Sequence, residues 1–174
     1  MLMVSDLLRT AREPALSAAL EQRSPDRYAA PARGVPVVVW NVVGHCNLSC
    51  PHCYASASRE PSPRDLSPEE GLTLLTALAD AGTKVVIFSG GEPLLRSDLF
   101  ELIARAKSLG MVPQLSSNGV FIDSAVAARL KQAGVAYVGI SIDGMRDFND
   151  RYRGLVGGFS RATAGIVASK RAGL

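Results

Sequence analysis

Residues 84–119, KVVIFSGGEPLLRSDLFELIARAKSLGMVPQLSSNG, spell out one complete strand–loop–helix–strand unit. Lys84–Ser89 is a short β-branched, apolar run. Gly90-Gly91-Glu92-Pro93 ends it with turn-forming residues. From Ser97 to Leu109 the apolar residues return at helical spacing, and Gly110 supplies the left-handed exit that a helix end favours. Val112–Ser117 is a second, weaker strand, and it runs into Asn118-Gly119.

The same unit recurs on both sides. Upstream, Ser67-Pro68-Glu69-Glu70 reads as a capping box with proline in the first helical turn, opening a helix that should stop at Gly82. Before it lies the apolar run Val37–Val43. Downstream, a helix over Asp123–Ala133 should stop at Gly134, followed by a fourth strand, Val135–Ile142. A last helix should begin near Phe159 and run toward the end. The strand runs are continuous rather than alternating, so the expectation is parallel strands covered on both faces. Four strands alternating with helices predict an α/β fold, a partial (β/α) barrel of right-handed βα units. A closed eight-stranded barrel takes about 250 residues. Four strands cannot close one, so the expectation is an incomplete, TIM-like barrel over residues 36–174, the first half of a truncated core. Residues 1–35 read differently. Residues 4–22 suggest short amphipathic helices broken by Pro14, and Pro25, Pro31, Gly34 and Pro36 mark a linker.

Composition narrows the class. With 174 residues, 47% hydrophobic and 20% charged, the chain can bury a core. Nineteen basic against 16 acidic residues leave only +3, which argues against a dedicated nucleic-acid binder. No apolar run approaches the roughly 20 residues of a membrane helix. Met1–Thr10 carries no secretory signal pattern, so a cytoplasmic protein is expected. The three cysteines all fall between positions 46 and 53. An odd, clustered set is not a disulfide framework and points to a metal or redox site.

Polar, glycine-rich segments follow every strand: Gly44–Tyr54, Gly90–Pro93, Ser116–Gly119 and Ser141–Gly144. In βα barrels the C-terminal strand ends carry the active site, so these loops should converge on one pocket. The cysteines read C-x3-C-x2-C. Thiolates suit iron–sulfur clusters or zinc. A cubane normally takes four cysteines, so three leave one iron open to an exogenous chelator. Two alternatives remain. His45 or His52 could complete a Cys3His zinc site. Cys50-Pro51-His52-Cys53 could serve as a thiol–disulfide centre, with Val112-Pro113 in the place of the cis-proline of a thioredoxin fold. The bland reading of the GGEP block, of Asn118-Gly119 and of Asp143-Gly144 is an ordinary strand-ending turn. Arg146, Arg151 and Arg153 could contact substrate carboxylates, but a solvated loop is the favoured reading, and Trp40 and Tyr137 read as core packing rather than substrate contacts.

Taken together, C-x3-C-x2-C after the first strand and GGEP after the second resemble the radical S-adenosylmethionine (SAM) superfamily over residues 36–174. The resemblance implies that Cys46, Cys50 and Cys53 hold a 4Fe–4S cluster whose open iron chelates SAM. It places His52 near the adenine, and Gly90, Gly91, Glu92 and Pro93 at the methionine amino group. It places Ser117 and Asn118, then Ser141 and Asp143, at SAM or substrate. It implies reductive cleavage of SAM to methionine and a 5′-deoxyadenosyl radical, with a ferredoxin or flavodoxin as electron donor. Trp40-Asn41, the run Cys46–Ala55 and Tyr137–Gly144 are similar to radical SAM proteins of heme biosynthesis. The d1-type heme subgroup, which modifies a tetrapyrrole side chain, is the nearest match. Peptide-maturing radical SAM enzymes share much of this wording. Relatives in the tetrapyrrole group often carry His-Asp-x-Phe-Arg after the fourth strand; here Asn149-Asp150-Arg151-Tyr152-Arg153 has asparagine in place of the histidine.

Overall fold

Val37–Asn41 forms β1, Val85–Ser89 β2, Val112–Ser117 β3 and Tyr137–Ile140 β4. They make one four-stranded sheet in the order β1-β2-β3-β4, and every pairing is parallel. This computed structural model describes residues 37–174. The expected N-terminal helices and linker over 1–35 lie outside the described residues. No helix among the described residues is long and apolar enough to cross a membrane.

Helices connect the strands. The α1 helix (Pro68–Asp80) follows β1, and its capping box forms as expected: Ser67 Oγ accepts from Glu70 N at 3.2 Å and Glu70 accepts from Ser67 N at 2.8 Å. The α2 helix (Leu99–Ser108) starts two residues later than the sequence suggests. A 3-10 turn, Pro93–Leu95, intervenes. Asp98 stands at the α2 N-cap but makes no side-chain cap, because Arg96 takes its carboxylate at 2.8 and 2.9 Å. The α3 helix (Ser124–Ala133) is capped by Asp123, whose carboxylate accepts from Val126 N at 2.8 Å. Two further helices follow β4: α4 (Arg146–Arg153) and α5 (Gly158–Arg171). Arg146 and Arg151 are exposed, as expected, but the stretch is helix rather than loop, and Arg153 is buried. Phe148 and Tyr152, and likewise Asn149 and Arg153, are four residues apart and share helix faces.

The core lies on one side of the sheet. Trp40, Val86, Phe88 and Leu115 pack against Leu75, Leu99, Leu102, Ile103 and Leu130. Each fully buried side chain of this size contributes about 1.5–3 kcal/mol. The other side is open: Val37 is 44% and Val39 53% exposed. The expectation of strands covered on both faces therefore fails among the described residues, because four parallel strands cannot curl shut to bury their inward face. The register places Val39, Ile87, Gln114 and Tyr137 side by side on that open face. Trp40 is core, as expected, but Tyr137 is only half-buried and stands on the open side. Pro113 sits within β3 of a wholly parallel sheet, whereas the thioredoxin-type alternative needs a mixed one.

Candidate active site

The cysteine loop is pinned at its neck. Cys46 N donates to Ser58 O at 2.8 Å and Ser58 N to Gly44 O at 3.1 Å, closing the segment between them. Inside it, Cys53 N donates to Cys50 O and Ser56 N to Cys53 O. Leu48 is buried beneath the loop. Arg59 braces it from outside, through Asn47 O at 2.6 Å and Ser49 Oγ at 2.7 Å. Tyr54 crosses to the sheet, where its hydroxyl lies 3.0 Å from Asn41 Oδ1 and 2.7 Å from Ser89 Oγ.

The second loop is laced directly onto the first. Gly91 N donates to Val43 O at 2.8 Å and Glu92 N to His45 O at 2.9 Å. This closeness explains both glycines. A Cβ on Gly91 would lie 2.0 Å from His45 O, and Gly90 has φ +135° with a Cβ position 2.5 Å from Val43 O. Arg96, nearly buried, donates to Val42 O at 2.8 Å and so anchors the same segment from the core side.

Glu92 is fully buried. Its Oε1 accepts from Ser117 Oγ at 2.9 Å and Leu94 N at 3.1 Å, and its Oε2 from Asn118 N at 2.9 Å. Burial pushes its pKa up, against the pull of these donors. The carboxylate therefore ties the β2 loop to the end of β3, and Gly90 and Gly91 face the cavity in front of it. Pro93 is buried as well.

The four strand-end loops do converge. A cavity of about 120 Å3 is walled by Cys46, Cys50, Cys53 and His52 from the first loop, Gly90 and Gly91 from the second, Ser117 and Asn118 from the third, and Ser141 from the fourth. Asp143 stands just behind this wall, paired with His52 Nε2 at 3.3 Å and with Arg153. A larger groove of about 870 Å3 between α3 and α5 holds none of these residues and is lined largely by helix surface.

All three cysteines are free thiols. Burial raises the pKa of Cys46 and Cys50; hydrogen bonds from Leu48 and Asn118 oppose this at Cys46, and the Arg153 charge opposes it at Cys50. Donors are aimed at the sulfurs: Leu48 N at 3.3 Å and Asn118 Nδ2 at 3.8 Å from Cys46 Sγ, and Ala57 N at 3.5 Å from Cys53 Sγ. Among the described residues no group of three or more His, Cys, Asp or Glu is disposed to hold a metal ion. A cluster asks for a different arrangement, with thiolates spread around one cavity and N–H groups directed at sulfur. That is the donor set present here, and it fits a 4Fe–4S cluster with three protein ligands.

Residues 40–174 match the family model of the radical SAM superfamily. The chain belongs to the radical SAM superfamily. Members of this family use a 4Fe–4S cluster and SAM. The chain is 44% identical over 171 residues to Fe-coproporphyrin III synthase of Methanosarcina barkeri, covering 98% of this chain and 41% of that protein. It is 42% identical over 145 residues to pre-heme d1 synthase of Dinoroseobacter shibae, covering 82% and 36%. The chain thus spans well under half the length of these relatives. Among solved structures, anSMEcpe with bound AdoMet superposes with a TM-score of 0.65 at 22% identity, over 79% of this chain and 41% of that one, which supports the radical SAM fold.

Sequence reasoning did not place several residues that the structure brings to this site. Arg153 is buried, pairs with Asp143 and accepts through its carbonyl from Ser49 N at 3.2 Å. Tyr152 stacks on His52 with ring centroids 4.6 Å apart. Asn149 is buried and accepts from Asp143 N at 3.0 Å through Oδ1. The i, i+4 pairs in residues 146–153 were the available signal. Asn47, Arg59 and Tyr54 left none, because their partners are remote backbone and side-chain groups.

Proposed function

We propose that this chain is the cluster- and SAM-binding part of a radical SAM enzyme of tetrapyrrole (heme) biosynthesis. The observation that carries the reading is the convergence of Cys46, Cys50 and Cys53 with the polar ends of β2, β3 and β4 around one cavity. The tetrapyrrole assignment draws support from the names of the two relatives above. When bound, the cluster and SAM supply a reductive C–S cleavage that yields methionine and a 5′-deoxyadenosyl radical for hydrogen abstraction.

The protein's own task is to hold and orient. Cys46, Cys50 and Cys53 ligate three irons. The backbone at Gly90-Gly91 lets the methionine end of SAM approach closely, with Glu92 and Pro93 fixing that loop from behind. Ser117, Asn118, Ser141 and Asp143 offer polar contacts along the strand ends, and His52 offers a ring toward the adenine. Leu48 and the packed cysteine loop keep water from the inner side of the site. The substrate is a carboxylate-bearing tetrapyrrole, the electron donor a ferredoxin or flavodoxin, and the compartment the cytoplasm.

The test is low-temperature EPR on anaerobically reconstituted, dithionite-reduced protein, with and without SAM. A reduced four-iron signal that changes on SAM addition supports the reading. A folded chain with no cluster signal overturns it. Release of 5′-deoxyadenosine stimulated by an iron coproporphyrin supports the tetrapyrrole class; stimulation by a peptide alone moves the assignment to peptide maturation.

A further inference from the structure

Asn118 reaches the cysteine loop from the end of β3, 72 positions away in sequence from Cys46. Its Nδ2 lies 3.8 Å from Cys46 Sγ and 2.8 Å from Asn47 Oδ1. Its Oδ1 accepts from Val120 N at 2.9 Å. That acceptor bond sets which end of the amide faces sulfur: the oxygen is committed to an N–H, so the NH2 points at the thiol. The backbone N–H of Asn118 is held by the buried carboxylate of Glu92. Glu92 is held in turn by Ser117 Oγ and Leu94 N. The amide is thus fixed on several sides before any cofactor arrives.

A cluster carries more negative charge on its sulfurs when reduced. A fixed N–H donor in a half-buried setting therefore favours the reduced state and raises the potential. Leu48 N supplies one such donor to Cys46, but it belongs to the cysteine loop itself. Asn118 is a side-chain donor from another strand, so it can be changed without replacing any residue of the cysteine loop, although its bond to Asn47 is lost with the amide. We infer that Asn118 sets the reduction potential of the cluster by donating its side-chain amide to the Cys46 thiolate. The inference rests on the four-iron reading above. It assigns Asn118 a positioning and tuning role toward the ligand sulfur, separate from any contact with SAM.

The test uses the 174-residue chain, reconstituted anaerobically and titrated by EPR-monitored potentiometry without SAM or substrate. Iron per chain is counted for every variant. Asn118→Ala is expected to lower the reduced-to-oxidised ratio at the wild-type midpoint about threefold, a shift of roughly 30 mV to more negative potential at 59 mV per tenfold for a one-electron couple. Asn118→Asp keeps an oxygen for Val120 N and replaces the donor with a charge, so it should shift further in the same direction. Ser58→Ala removes the hydroxyl that donates to Glu60 O at 2.6 Å at the neck of the cysteine loop and leaves the Asn118 amide and its supports in place; its midpoint should match wild type. Wild-type midpoints in both Asn118 variants would overturn the inference. So would an equal shift in Ser58→Ala, which would mark general loosening. Should Asn118→Ala assemble no cluster, Asn118→Asp decides alone. A wild-type chain that assembles no four-iron cluster fails first in iron count and spectrum, which identifies the underlying reading as the one at fault and takes the inference with it.

Discussion

Asp143, just beyond β4, and Arg153, the last residue of α4, form an ion pair that fastens α4 over the cysteine loop. The pair does not stand alone. Asp143 also meets His52, its backbone N–H is held by Asn149, and the Arg153 carbonyl receives Ser49 N. One short helix therefore holds both the fourth strand end and two positions of the cysteine loop.

Removing Arg153 should loosen that clamp. Arg153→Met keeps much of the stem packing and deletes the charge, leaving a partly buried carboxylate with one fewer partner. A loss of about 2 kcal/mol is expected from urea unfolding, with a smaller loss for Arg153→Lys, which keeps the charge but not the planar fork. Unchanged midpoints in both would show that the pair contributes nothing to holding α4.

The two glycine classes should separate cleanly. Gly91→Ala forces a Cβ onto the His45 carbonyl, so a destabilisation of about 3 kcal/mol and weakened iron loading are expected. Gly82 has φ +84° and open space around its Cβ position, so Gly82→Ala should cost only the backbone term of about 1–2 kcal/mol. Equal losses for the two would contradict the close approach of the second loop to the first.

Glu92 makes stability depend on pH in a definite sense. Burial raises its folded pKa, so between the ordinary carboxylate range and that raised value the folded chain binds more protons than the unfolded one. Its contribution is fully present below the unfolded pKa and is lost as pH rises through the folded pKa. Urea midpoints measured from mildly acidic to neutral pH should fall more steeply for wild type than for Glu92→Gln. The variant should also be less stable at low pH, since its amide NH2 would confront Asn118 N–H. Parallel pH profiles would refute the buried assignment.

The cysteines should be equivalent for iron. Cys46→Ala, Cys50→Ala and Cys53→Ala are each expected to abolish the four-iron EPR signal of the reconstituted chain. A thiol–disulfide centre at Cys50 and Cys53 would instead leave Cys46→Ala without effect on redox activity.

Much of the fold was legible because its signals are local. The Ser67–Glu70 capping box, the Gly134 exit and the apolar runs of β2 and β3 depend on neighbours within a few residues, and each formed where the pattern placed it. The C-x3-C-x2-C spacing of Cys46, Cys50 and Cys53 and the GGEP block are likewise contiguous patterns, readable without a structure. Asp98 marks the limit of such reading: it has the residue type of a cap, but a tertiary pairing with Arg96 takes its carboxylate.

The amino-acid sequence by itself determined the alternation of strands and helices as far as β4, the spacing of the cysteines and the face on which the polar loops gather. Local propensity and the βα connection rule leave little freedom in these. Only the tertiary structure decided which of those residues face the cavity. It turned Arg153 inward from an apparently solvated stretch, sank the Glu92 carboxylate behind Gly90 and Gly91, left Val39 and Tyr137 on an open sheet face, and brought Asn118 to Cys46. Burial and hydrogen-bond partnership are set by groups tens of residues away, through packing that no local pattern encodes.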